Sequence, residues 1–397
     1  MRNSRKNLAG SLRASGAVLG LALLAGFAGH GDSELDSLRQ EVRDLARKVE
    51  AGSEHGSKTM HFHGYGELHY NQPLEGDAQL DFHRFVLGWG HEWNDRWRLD
   101  AEIDMEHNFS EPELEYAYVE YDMLPALSLR AGALLLPVGP LNEFHEPPLF
   151  YSVERPYLEK NIIPTSWTEN GLGLAGQAAA GQVGYRLYLV SGLDAAGKTP
   201  GRGFSDTSGL RAGRSGGVES QADDLALVGR LEWRALQHLT LGGSAYRGAA
   251  DQDKATLGDV NVTILETDVR YQNRRLDLKG EFVNVSISSA AQLSALSGKT
   301  IGETLQGWLL EAGVHLLDHE KDDARDVVAF LRREDFDTNK DVPAAFARNP
   351  RAEQAVWTVG LAYYPIPKVA FKTDVELWED GRGDHREQFN LGLAFMY

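Results

Sequence analysis

The chain has 397 residues, no cysteine, and 58 acidic against 40 basic residues, a formal net charge of −18. The missing cysteine excludes a disulfide scaffold, a Cys-ligated zinc or iron–sulfur centre and a thiol nucleophile. The acidic balance speaks against a nucleic-acid partner, because binding phosphates takes a basic surface. Charged residues at 25% resemble a water-soluble protein, but a barrel whose strands alternate lipid-facing and water-facing residues has the same average.

Residues 1–28 read as a secretory signal. A basic start (Arg2, Arg5, Lys6, Arg13) precedes the apolar run AVLGLALLAGFA, and Gly26 and Ala28 occupy the −3 and −1 places if cleavage follows Ala28. The run is short for a bilayer crossing, which takes about 20 apolar residues. Residues 29–59 form a separate region. Within it Leu35, Leu38, Val42, Leu45 and Val49 are spaced 3, 4, 3, 4, a heptad seam of about two heptads. The seam predicts a short coiled-coil helix in the periplasm, acting as an oligomerising stub; a helix packed on the chain's own barrel is the other reading.

From 60 to 397 the period is two. In RWRLDAEIDMEHN (96–108), Trp97, Leu99, Ala101, Ile103 and Met105 share one face. Arg98, Asp100, Glu102, Asp104 and Glu106 share the other, as a strand requires. About sixteen such segments follow one another, from 60–70 to 386–397, most of them 9–13 residues long. That is the length that crosses a bilayer at a tilt. Short connections alternate with long ones at 137–168, 194–223, 248–259, 288–302, 336–352 and 379–385. Short periplasmic turns and longer outer loops give that alternation. Trp89, Trp93, Trp97, Trp233, Tyr363, Tyr364 and Trp378 fall near strand ends, where interfacial girdles sit, and the last strand ends on Tyr397. The expected fold is all-β: a single transmembrane antiparallel β-barrel of about sixteen strands, preceded by the short helix. The setting is the outer membrane of a Gram-negative bacterium, with lipid around the barrel.

Three stretches carry a family resemblance: FHRFVLGWGHEWNDRWRLDAEID (82–104), ELEYAYVEY (113–121) and LRAGALLLPVGPLNEFHEPPLFYSVER (129–155). They resemble the phosphate-selective porin O and P family. The resemblance implies a trimer of water-filled channels, each narrowed by an inward-folded third loop, here 137–168. Passive diffusion of ions and small hydrophilic solutes would be the activity. The residues themselves depart from a phosphate pattern, which needs a ladder of Arg and Lys along the lumen. The expected pore-lining set is Arg84, Arg98, Asp100, Glu102, Asp104, Glu106, Glu113 and Glu115, mostly acidic, which predicts a mild cation preference rather than phosphate specificity.

Loop 137–168 supplies a constriction set of Glu143, His145, Glu146, Glu154, Arg155, Glu159 and Lys160, stiffened by Pro137, Pro140, Pro147, Pro148 and Pro156. In MHFHGYGELHY, His61 and His63 share a strand face and could grip one metal ion, although ordinary lumen lining explains them as well. Other function classes stay open: a closed barrel with a structural or assembly role, and a barrel enzyme. No HExxH helix is present, and the G-x-S-x-G spacing at 213–217 (GRSGG) falls in a long connection rather than at a strand-to-helix elbow, so neither catalysis nor a cofactor is expected.

Overall fold

The computed structural model describes residues 60–107, 111–197, 203–254, 256–317 and 325–397. The export segment 1–28 and the helical stub within 29–59 lie outside the described residues. Sixteen strands follow in order: β1 (Met60–Pro73), β2 (Gln79–Glu92), β3 (Trp97–Glu106), β4 (Glu111–Leu124), β5 (Leu127–Leu135), β6 (Thr168–Ala178), β7 (Val183–Ser191) and β8 (Leu225–Leu236), then β9 (Leu239–Ala249), β10 (Asn261–Gln272), β11 (Leu276–Ile287), β12 (Thr304–His315), β13 (Asp326–Asp341), β14 (Glu353–Ile366), β15 (Val369–Asp380) and β16 (His385–Met396). Each pairs with its sequence neighbour, and β1 closes on β16, giving one antiparallel barrel with no free edge. Two short helices interrupt the connections, α1 (Tyr157–Asn161) and α2 (Ala290–Ser297).

Alternation sorts the side chains. Leu187, Leu227, Leu265, Phe282, Leu310, Val359, Phe371 and Leu391 point outward and are exposed. The residues between them turn inward and are buried, although many are charged: Arg230, Glu266, Arg332, Glu334, Asp374, Glu376 and Asn390. A large exposed apolar belt around a charged interior is the inverse of a water-soluble sandwich and the arrangement that lipid selects. Among the described residues, no helix is long and apolar enough to cross a membrane.

Two irregularities matter for the interior. The β1–β2 register shifts between Glu67/Arg84 and His69/Asp81. This bulge aims both His83 and Arg84 into the lumen while Phe82 and Leu80 face out. The β3–β4 register shifts between Glu102/Tyr116 and Ile103/Leu114. Glu115 and Tyr116 then both face inward, and Leu114 faces lipid. Of the aromatics expected in a girdle, Trp93, Trp97, Trp233 and Tyr363 are exposed. Trp378 and Tyr364 depart from it, because their inward positions let Tyr157 pack on Trp378 and Pro148 accept from the Tyr364 hydroxyl.

The long connection between β5 and β6, residues 136–167, lies inside the barrel. Lys372 on β15 donates to the carbonyls of Pro147 (2.5 Å) and Ser152 (2.9 Å). The Val153 amide donates to Asp374, the Leu158 amide to Glu334, and the Tyr157 hydroxyl to Glu376. Tyr151 donates to Asp277 on β11. The loop's Leu136, Val138, Leu158, Ile162, Ile163 and Trp167 form an apolar core with inward Val190, Ile264, Val283, Leu305 and Phe336. Gly139 sits at φ +71 with no room for a side chain: a Cβ there would lie 2.7 Å from Ile163 and 2.9 Å from the Glu159 carboxylate.

Candidate lumen constriction

The acidic face expected on β3 does turn inward, but it is not a bare negative stripe. Arg84 reaches Asp104 (3.3 Å) and Glu67 (3.6 Å), pairs with Glu106, and donates to the Tyr65 hydroxyl at 3.4 Å. His63 lies 3.1 Å from Glu102, 3.6 Å from Asp100 and 3.2 Å from the Tyr116 hydroxyl. Arg98 pairs with Glu120 and Asp122, and Arg130 shares Glu120. The four β3 carboxylates share two partners: Asp104 and Glu106 share Arg84 of β2, and Asp100 and Glu102 share His63 of β1.

Loop 136–167 meets this wall through His145, whose Nε2 lies 2.9 Å from both the Tyr65 hydroxyl and Glu115, while Nδ1 lies 2.9 Å from the Asn142 carbonyl. Glu143 pairs with Arg186 at 3.0 Å, yet burial still raises its carboxyl. Burial raises Glu146 likewise. Burial works to raise Glu154, but the hydrogen bond and charge of His69 outweigh it and hold the carboxyl at about 2. Glu159 is buried, accepts from the Leu141 amide and the Thr165 hydroxyl, and is pushed up to about 8 by that burial. Of the loop set, Lys160 alone is exposed.

The inward connections also carry a basic group. Arg155 donates to Ser166, and its buried Nη2 has no hydrogen-bond partner. Arg211 and Arg214 come from the second inward connection, residues 192–224, and donate only to the backbone carbonyls of Pro164, Thr165, Ser166 and Arg211. Burial and the neighbouring charges of Arg214 and Arg155 push Arg211 down to about 9, while Glu106 pulls the other way. Arg214 is lowered mainly by burial, against the pull of Glu113 and Glu115. Among the described residues none of these three arginines forms an ion pair. These three guanidiniums interact through their charges with Glu106, Glu113 and Glu115, so basic and acidic groups act on one another in this part of the lumen.

Several interior charges went unread in the sequence: Arg186 and Arg230 with Glu232, Glu266 and Asp268; Lys279 and Arg332 with Glu311 and Glu334; and Arg270 with Asp277. Their signal was the same i, i+2 alternation of charge that marked β3. His61 and His63 have ring centroids 5.8 Å apart. Among the described residues, donor atoms of three candidate metal ligands come within 4.8 Å at Asp81, His83 and His107 and at Asp224, Asp251 and Asp253; the His61/His63 pair is in neither group.

No family model matches the chain. An uncharacterized protein of Aquifex aeolicus (strain VF5) is 33% identical over 330 residues, which cover 78% of this chain and 74% of that protein. The chain belongs to the same family as this Aquifex protein. Its fold is shared with solved outer-membrane channels. Salmonella typhi OmpF, solved with daunomycin, matches with a TM-score of 0.55 at 9% identity, covering 86% of this chain and 99% of that one. The DcaP channel of Acinetobacter baumannii matches at 0.55 and 10% identity, covering 85% and 97%. An anion-selective porin from Comamonas acidovorans matches at 0.53 and 10% identity, covering 86% and 100%. The sixteen-strand closed barrel of this chain therefore has a porin-like fold.

Proposed function

We propose that this chain is an exported outer-membrane porin, a water-filled channel for passive diffusion of ions and small hydrophilic solutes. The observation that carries the reading is the solvent access kept by inward charged side chains. Arg98 is 44% exposed, Asp100 31% and Glu106 28%, although all three face the interior of a closed barrel. Water therefore reaches these levels of the lumen beside the inward loops. A path between the β3–β4 wall and Arg155, Arg211 and Arg214 would be narrow and lined by both signs of charge. The resemblance to phosphate-selective porins supports a trimer, and the 35–49 seam supports association of the periplasmic helices. The strand-borne arginines Arg84, Arg98, Arg130, Arg186, Arg230 and Arg332 each pair with carboxylates, whereas Arg155, Arg211 and Arg214 of the inward connections do not, which speaks against a phosphate ladder along the barrel wall and for weak selectivity. Liposome swelling with purified folded protein and uncharged sugars of increasing size tests this. Swelling with small sugars and none with large ones supports a narrow channel. No swelling with the smallest sugar would favour a closed barrel, its lumen sealed by the apolar core around Trp167.

A further inference from the structure

We propose that Asp81, His83 and His107 form a binding site for one borderline divalent cation of the zinc type, at the outer end of the lumen. The three residues converge from two strands. Asp81 and His83 are two apart on β2, and the β2 bulge turns the His83 imidazole into the interior beside Arg84. His107 ends β3 in the left-handed region at φ 46, where its amide donates to the His83 carbonyl at 2.9 Å. A histidine tolerates that conformation better than most residues, and here it folds the ring back over the strand end.

Two of the three donor separations are close to those of ligands on one shared ion. Nδ1 of His107 is 2.8 Å and Nδ1 of His83 is 3.3 Å from the same Asp81 oxygen, and all three donors fall within 4.8 Å of one another. Ligands about 2.1 Å from one ion are separated by roughly 3.0 Å at an octahedral edge and 3.4 Å at a tetrahedral one. Two imidazoles and one carboxylate suit zinc, nickel or cobalt over calcium or magnesium, which prefer all-oxygen sets.

The surroundings orient the rings. His83 stacks on His69 with centroids 4.8 Å apart and planes 15° apart. His69 is itself held by Glu67 (2.9 Å) and Glu154 (3.4 Å). The stack holds the His83 ring in place, with the carboxylates Glu67 and Glu154 and the cation Arg84 around it. His107 stays exposed, so the remaining coordination positions open to water and an ion can enter from the lumen. Three ligands with open positions fit an exchanging ion rather than a structural one.

The test is calorimetric titration of the folded full-length protein in detergent with zinc alone, repeated for Asp81→Asn, His83→Gln, His107→Gln and the pair His61→Gln/His63→Gln. Cobalt absorption then reports the ligand set. We expect one zinc per chain, affinity lowered at least about tenfold by each of the first three substitutions, and no such loss in the His61/His63 pair. Unchanged heat-modifiable migration in each variant shows that the barrel is intact. Zinc binding by wild type no tighter than by His83→Gln/His107→Gln would overturn the assignment. So would loss confined to the His61/His63 variant.

Discussion

Replacing Arg84 by Gln should make an acidic wall more negative. Arg84 faces Glu67, Asp104 and Glu106 at once, so the substitution removes one positive charge and leaves three carboxylates without their shared partner. A permeating ion about 5 Å away gains about 0.8 kcal/mol from one uncompensated charge in water. Screening over about 8 Å at physiological salt roughly halves this, while the low-dielectric barrel wall strengthens it. The net is on the order of 0.4–1 kcal/mol, a two- to fivefold rise in local cation concentration. The assay is the reversal potential in a KCl gradient across a planar bilayer. Arg84→Gln should shift it toward potassium by about that ratio, Arg84→Lys should restore most of the wild-type value, and Arg84→Gln/Asp104→Asn should lie between. Because Arg84 is buried, the Gln variant should also unfold at a lower temperature; removing one partner of a buried pair costs about 3–5 kcal/mol. An unchanged reversal potential, or a shift toward chloride, would refute the role of Arg84 in offsetting this wall.

Glu159 should make loop docking pH-dependent. Burial raises its folded-state carboxyl to about 8, so its contribution is full below the ordinary value near 4.5 and is lost as pH rises through about 8. Open-channel noise should therefore grow between pH 5 and 9, and Glu159→Gln should flatten that trend. Trp167→Ala empties a fully buried site in the interior core and should weaken loop docking by about 3–5 kcal/mol, read as larger or noisier conductance steps. Gly139→Ala should act in the same direction, since a Cβ there meets Ile163 and Glu159 at a left-handed φ. Removing Tyr397 takes away the amide bond to Gly64 and the hydroxyl bond to Val86 that tie β16 to β1 and β2, and should slow assembly in a refolding assay by gel mobility.

Much of the fold was legible because lipid on one side and water on the other leave a period of two. The segments read at 79–93, 276–287 and 386–397 correspond to β2, β11 and β16 within a residue at either end. The bulges were not legible. At His83/Arg84 and Glu115/Tyr116 the alternation slips by one residue within an otherwise regular strand, and the side chain it re-aims is the one the site uses. The apolar interior was also missed. In RLYLV on β7, Leu187 and Leu189 face lipid, whereas Tyr188 and Val190 face the buried loop core. Both faces are then apolar, and the pattern resembles a strand buried on both sides. The loop 136–167 carried its signal in prolines and aromatics, whereas 192–224, rich in glycine and serine, gave no hint that Arg211 and Arg214 would be brought against Arg155.

The most direct measurement is the current carried by the purified, heat-modifiable protein in a planar lipid bilayer. The account predicts discrete, ohmic insertion steps, smaller than an empty sixteen-strand barrel would carry and enlarged by Trp167→Ala. Folded wild-type protein that inserts but passes no current above the bare-bilayer baseline would contradict it.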